Sequence, residues 1–231
     1  MTVELPEDSL HVWRIDVRRP GEGLHEVLSR DETERASRFR FDRDRDAFVC
    51  TRGALRALLG SYLGVAPEDV ELAYGEKGKP EVPALSFNVS HAGDVAVAAF
   101  ARTGRVGVDV EVMRADVELI PLARRFFTPA ENEALGRLSD DELVAGFYSC
   151  WTRKEAFVKA LGEGLSFELD RVEVSVHPEP ARVLSIDGDT SAGEGWSMVS
   201  LDPGRDYAGA VAVDRPAVDV TVLEWPSPVA A

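Results

Sequence analysis

Three carboxylates and a few lysines at fixed spacings are the residues of this chain best suited to carry chemistry. Asp109 and Glu111 alternate within the run Val106-Gly107-Val108-Asp109-Val110-Glu111-Val112, a period of two that sets four valines on one face of a strand and both acids on the other. Further on, Trp151, Glu155 and Lys159 recur every four residues and so share one stripe of a helix, with Lys154 flanking it. By themselves Glu155 and Lys159 are an ordinary surface pair contributing a few tenths of a kcal/mol, and Trp151 is a core anchor. Beside Asp109 and Glu111, Glu155 completes an oxygen-rich, unfilled shell of the kind Mg2+ favours, which leaves positions for water and substrate phosphates. Lys154, Lys159, His91 and the Lys77/Lys79 loop are the available counter-charges, so a pyrophosphate bridging metal and lysines accounts for all these groups together. Scarcity makes the lysines informative: of 26 basic residues 22 are Arg, and the four Lys fall in two short segments. A compact ammonium suits phosphate binding.

The elements that must hold these groups follow from periodicity and turn chemistry. Residues 10–17 alternate as a strand that ends at Arg19-Pro20-Gly21. Ser29 and Asp31 are candidate caps ahead of Glu32 and Glu34, and an Arg/Asp-dense run over 35–46 leads into an apolar helix at 47–63. Phe48, Leu55, Leu58, Leu59 and Tyr62 recur on its core face, while Arg45, Arg52 and Arg56 read either as solvated charges or as a basic wall near an anionic ligand. Gly75 to Pro80 is a turn-rich loop. Residues 85–91 and 95–100, joined by Ala92-Gly93-Asp94, form a hairpin. The stretch 123–138 is helical but broken at Thr128-Pro129, where Thr128 caps a new helix with Glu131 in its first turn. A helix covers 146–161, and strands cover 171–176, 196–201 and 208–213. The segment 198–213 echoes 89–98, which suggests two similar halves, 1–104 and 105–231, joined near 103–105, with a disordered tail after Pro226.

Composition limits the partners. With 231 residues, 45% hydrophobic and 29% charged, the chain is long enough for a real core, and its net charge of −15 disfavours nucleic acid. Its longest apolar runs, such as 95–101, fall short of the roughly 20 residues a membrane helix needs, and no signal pattern opens the chain, so no membrane partner and a cytoplasmic location are expected. Cys50 and Cys150 lack metal-ligand spacing and read as buried free thiols.

At these motifs the chain resembles the Sfp-type 4′-phosphopantetheinyl transferases. The family patterns Gly-x-Asp-x-Glu and Trp-x-x-Lys-Glu-x-x-x-Lys appear as Gly107 to Glu111 and Trp151 to Lys159; Phe-Asn-x-Ser-His appears as Phe87 to His91, preceded by Gly78-Lys79-Pro80. The likeness extends over about residues 38–165. It implies an α+β pseudo-dimer of two similar α/β halves with the active site in the cleft between them. It implies transfer of 4′-phosphopantetheine from coenzyme A, a co-substrate, to a serine of an apo acyl or peptidyl carrier protein, with release of adenosine 3′,5′-bisphosphate. Asp109, Glu111 and Glu155 are then the ligands of Mg2+, with Mn2+ as the alternative ion. Lys159 and His91 contact the pyrophosphate, and Lys154, Ser90 and Lys79 make further coenzyme A contacts. Glu155 serves as, or positions, the base for the carrier serine, and one of Arg45, Arg52 or Arg56 meets the 3′-phosphate. The family also implies a monomer of the holo-[acyl-carrier-protein] synthase type, acting on polyketide, nonribosomal-peptide or fatty-acid carriers. Arg124, Arg125, Phe126 and Phe127 read either as a carrier-docking patch or as core and helix surface. Two other readings use the same residues: a Mg2+-dependent phosphohydrolase or nuclease with water as nucleophile, and a non-catalytic coenzyme A or carrier-binding module.

Overall fold

The computed structural model describes residues 3–18, 21, 23–75, 77–164 and 167–225. The expected strand end at Arg19-Pro20, Glu76 in the glycine loop and the tail beyond Pro226 lie outside them. Two helix-on-sheet layers stack with their sheets face to face. In the first, β1 (Ser9–Asp16), α1 (Arg30–Ala36), α2 (Asp42–Leu63), the short β2 (Ala73–Tyr74) and β3 (Pro80–Glu81), β4 (Ser86–Ala92) and β5 (Val95–Ala101) follow in order. The second contains β6 (Val106–Val112), α3 (Leu119–Phe126), α4 (Pro129–Leu135), α5 (Asp140–Leu161), β7 (Val172–Val174), β8 (Val183–Ile186), α6 (Thr190–Gly193), β9 (Ser197–Leu201) and β10 (Tyr207–Val213). The last strand, β11 (Asp219–Glu224), returns to the first sheet, whose order is β11-β1-β5-β4; the second sheet runs β6-β10-β9. β11 lies parallel to β1, and the other neighbours in both sheets are antiparallel.

Three apolar layers result. Leu55, Leu58, Leu59 and Tyr62 of α2 pack on Ile15, Phe87 and Phe100, which covers the outer face of the first sheet. Val12, Val95, Val97, Val106, Val108, Val110, Val211 and Val213 fill the space between the sheets. Phe147, Cys150 and Phe157 of α5 pack on Ala210 and Ala212, which covers the second sheet. Each such large side chain contributes about 1.5–3 kcal/mol on full burial. Because β5 is covered on both faces, all seven of its residues are buried and its pattern is continuous rather than alternating.

Both long helices begin earlier than their apolar periodicity indicates. α2 starts at Asp42, inside the charged run, and α5 starts at Asp140, where Ser139 and Glu142 form a capping box. Acids in a first turn are favoured by the helix dipole, so these polar residues belong to the helices although they bury no apolar face. Thr128 caps α4 as expected, with Pro129 at its first position, and Glu131 reaches back to complete a capping box. Among the described residues no helix is long and apolar enough to cross a membrane.

Candidate active site

The site grows from one close approach. A Cβ on Gly107 would lie 2.0 Å from the Ala156 carbonyl oxygen and 2.3 Å from the Ala160 nitrogen, so only glycine lets β6 run against the backbone of α5. That contact sets Asp109 and Glu111, on the same face of β6 as Gly107, beside Glu155 and Lys159 of the helix. From the other layer, Asn88 of β4 accepts a hydrogen bond from the Val108 amide at 2.9 Å, which locks β4 beside β6 and brings Ser90 and His91 to the same end.

Asp109 is the centre of the cluster. It is 3% exposed; its Oδ1 accepts from the Ser90 hydroxyl at 2.9 Å and from Lys159 Nζ at 2.5 Å, whereas its Oδ2 is buried with no partner. Lys159 Nζ also donates to Ser90 at 2.8 Å. Burial raises the Asp109 carboxyl above its ordinary range, against the pull of Lys159. Glu111 is pushed up to about 7 by burial and then by the charges of Asp109 and Glu155. Glu155 is raised by burial and by Asp109. Burial raises all three acids, and the Asp109 charge adds to the rise of Glu111 and Glu155, so the three crowd one low-dielectric space with Lys159 as their counter-charge. His91, at the exposed end of β4, is held below its ordinary value by the partial burial of its ring and by Lys159.

The donor chemistry fits a small hard cation: carboxylate oxygens only, one of them orphaned. The spacing is not that of an assembled shell, for among the described residues no three His, Cys, Asp or Glu side chains stand as a ready-made metal nest. Lys159 occupies one oxygen of Asp109 instead.

Two cavities flank the acids. One, of about 580 Å3, is lined by Phe126, Trp151, Glu155, Lys159, Phe167 and Leu169 among others, and has a largely apolar wall. Its Trp151 stacks on Phe147 at 5.9 Å and meets Phe126 edge-on at 5.6 Å. The other, of about 130 Å3, is lined by Arg35, Phe48, Thr51, Arg52, Leu55, Val89, Ser90 and His91. Thr51 Oγ1 and Arg52 Nη1 are both buried there without partners, and the Arg35 and Arg52 guanidinium groups sit over the Phe48 ring at 5.1 and 5.9 Å. Arg35 and Thr51 were not among the sequence candidates. They sit on different helices, and only the packing of α1 on α2 brings them together.

The structure gathers Ser90, His91, Asp109, Glu111, Glu155, Lys159 and Arg52 around this cleft; it commits Lys154 and Arg56 elsewhere, and gives Arg45 and Lys79 partners outside it. Lys154 is wholly buried: its ammonium pairs with Glu131 at 2.6 Å and donates to the carbonyls of Leu169 and Val172. It has no surface left for a coenzyme. Arg56 is 3% exposed and spends its guanidinium on Glu32 at 2.5 Å and on the Pro67 and Val70 carbonyls. Arg45 is solvated and pairs with Asp42 and Asp46. Lys79 donates to the carbonyls of Val106 and Lys159, and so ties the glycine loop to the start of β6 and the end of α5. Of the apolar and basic patch, Phe127 is core, whereas Arg125 and Phe126 line the larger cavity.

Comparison with known proteins bears on these groups. Residues 105–212 match the family described as 4′-phosphopantetheinyl transferase superfamily, and residues 21–103 match the family described as 4′-phosphopantetheinyl transferase, N-terminal. The chain is 38% identical over 219 residues to 4′-phosphopantetheinyl transferase HetI of Nostoc sp., covering 90% of this chain and 89% of that one. It is 31% identical over 208 residues to the L-aminoadipate-semialdehyde dehydrogenase-phosphopantetheinyl transferase of Mus musculus, covering 80% and 67%. It is 33% identical over 151 residues to the 4′-phosphopantetheinyl transferase of Bacillus subtilis, covering 64% and 66%.

Proposed function

Since this chain belongs to the 4′-phosphopantetheinyl transferase superfamily, we propose that it moves phosphopantetheine from coenzyme A to the serine of an apo carrier protein in this cleft, with a divalent cation. The observation that carries the reading is the Asp109 carboxylate, held by Ser90 and Lys159 through one oxygen and orphaned at the other, between an apolar cavity and a cationic one. A pyrophosphate at Lys159 lets coenzyme A extend in both directions: the phosphorylated adenosine toward His91, Thr51, Arg35 and Arg52, and the pantetheine arm along Trp151 and Phe126.

The carrier serine oxygen forms a bond to the phosphorus that bears the pantetheine, and the bond from that phosphorus to the bridging oxygen breaks, releasing adenosine 3′,5′-bisphosphate. Glu155 takes the serine proton. Lys159 donates to the departing phosphate, and His91 and Ser90 orient it. A divalent ion such as Mg2+, held by Asp109, Glu111 and Glu155, supplies Lewis-acid neutralisation of the pyrophosphate when bound. No side chain of this protein is then needed as a covalent nucleophile.

The test is incubation of the protein with coenzyme A, Mg2+ and a panel of apo carriers of the polyketide, nonribosomal-peptide and fatty-acid types. The expected result is a mass gain of one phosphopantetheine on a carrier and stoichiometric bisphosphate release. Bisphosphate release with the carrier unmodified would show a hydrolase instead, and tight coenzyme binding with neither product would show a binding module.

A further inference from the structure

Five residues before Lys159 on the same helix, Lys154 makes a second lysine–carboxylate pair that the proposed chemistry does not use. All three of its ammonium hydrogens are engaged, by Glu131 at 2.6 Å, by the Leu169 carbonyl at 3.0 Å and by the Val172 carbonyl, and the Phe127 ring lies 5.6 Å from Nζ. Glu131 is equally committed. One of its oxygens accepts from the Thr128 amide at 2.8 Å and the other from the Val174 amide at 2.8 Å. The two side chains, 0% and 1% exposed, therefore join three pieces of backbone. These are helix α5, the corner between α3 and α4, and the stretch from Leu169 to Val174.

The same three pieces are the walls of the larger cavity. Phe126 comes from the corner, Trp151 and Glu155 from α5, and Phe167 and Leu169 from the connection to β7. We propose that Glu131 and Lys154 are positioning residues: the buried pair clamps the corner and the Leu169 turn onto α5, and so sets the width of the apolar cavity and the aim of the adjacent Glu155. This role rests on the transferase reading only in naming the cavity's occupant, the pantetheine arm. The lysine next to Glu155 then acts on the donor through the walls and not by touching a phosphate.

The double variant Glu131→Gln/Lys154→Met removes both buried charges at near-constant volume and leaves neither partner ionised and alone. Three readouts apply to it. Hydrogen exchange at amides 125–128 and 167–174 is expected to quicken about tenfold or more, while the amides of β4, β5 and β6 keep their wild-type protection. Affinity for adenosine 3′,5′-bisphosphate, which has no pantetheine arm, is expected to stay within about twofold, whereas the KM for coenzyme A rises and kcat falls, each by about tenfold. Unchanged exchange in those two segments overturns the clamp, and a tenfold loss of bisphosphate affinity shows that the Lys154 charge acts on the phosphates. Should the variant fail to fold, the wild-type chain decides the matter. The Thr128 and Val174 amides, both held by Glu131, must open together, and protection differing by about a hundredfold overturns the proposal. Exchange requires no turnover, so a wild-type protein that modifies no carrier defeats the transferase reading and leaves the clamp to be judged on its own data.

Discussion

Helix α5 carries two lysine–carboxylate pairs of similar length and opposite character. Lys154 and Glu131 stand 2.6 Å apart with every polar atom of both groups engaged and no solvent access. Lys159 and Asp109 stand 2.5 Å apart, but Lys159 is 30% exposed and one Asp109 oxygen has no partner. A closed network of the first kind specifies a packing arrangement, because nothing can be added to it. An open one of the second kind stores unmet acceptor capacity beside a cavity, which is what a cation site requires. Distance alone does not separate the two, and neither does residue type; the count of unsatisfied atoms does.

The largest effect that tests this contrast is on the open pair and its neighbours. Asp109→Asn or Glu155→Gln is expected to lower the transfer rate by about 1,000-fold or more, with thermal stability unchanged or slightly higher, since each variant removes a charge from a crowded acidic site. Rate assays beside thermal melts check it. Near-wild-type turnover by either variant would remove the acids from the chemistry.

Next in size is the closed pair. Lys154→Met leaves Glu131 buried without its counter-ion, and a loss of about 3–5 kcal/mol in denaturant unfolding is expected. Lys159→Met removes a lysine that is itself 30% exposed but leaves the buried Asp109, so a smaller loss of about 1–2 kcal/mol is expected, while transfer slows by about 10- to 100-fold. If the two lysines instead cost the same stability, the distinction between a closed and an open network has no energetic content here.

Much of this architecture is legible in the sequence. Strict alternation in 106–112 sets Asp109 and Glu111 opposite the valines, as β6 does, and the four-residue stripe sets Glu155 with Lys159 on the strand-facing side of α5. The fate of Lys154 is not legible in the same way. One residue from Glu155 on a helix is a turn of about 100°, which points Lys154 toward α4, but its partner lies 23 positions upstream in a residue that reads only as a first-turn acid. Arg56 repeats the lesson: it shares both the spacing and the Glu32 partner of Arg52, yet two carbonyls also claim its guanidinium, whereas Arg52 Nη1 stays without a partner. The parallel pairing of β11 with β1 is equally hidden, because β11 is a mostly exposed edge whose register is set by a strand some 200 residues earlier.

The smallest expected effect concerns pH and sharpens the idea of an open site. Glu111 binds its proton more tightly in the folded chain, at about 7, than at its ordinary value of 4.5. Its contribution to stability is therefore complete below pH 4.5 and lost as pH rises through about 7. Asp109 and Glu155 are shifted in the same direction, so they add to the slope with the same sign. Without divalent ions the wild-type melting temperature should fall between pH 5 and pH 8 by about 2–4 °C more than that of Glu111→Gln, a figure kept small because Glu111 is partly solvated. Added Mg2+ should recover the difference at pH 8, where the carboxylates are charged, and do little at pH 5, where protons already neutralise them. Melts across that range, with and without the ion, provide the measurement. Parallel wild-type and Glu111→Gln curves would mean that the three acids do not share a space, and the open half of the comparison would lose its physical basis.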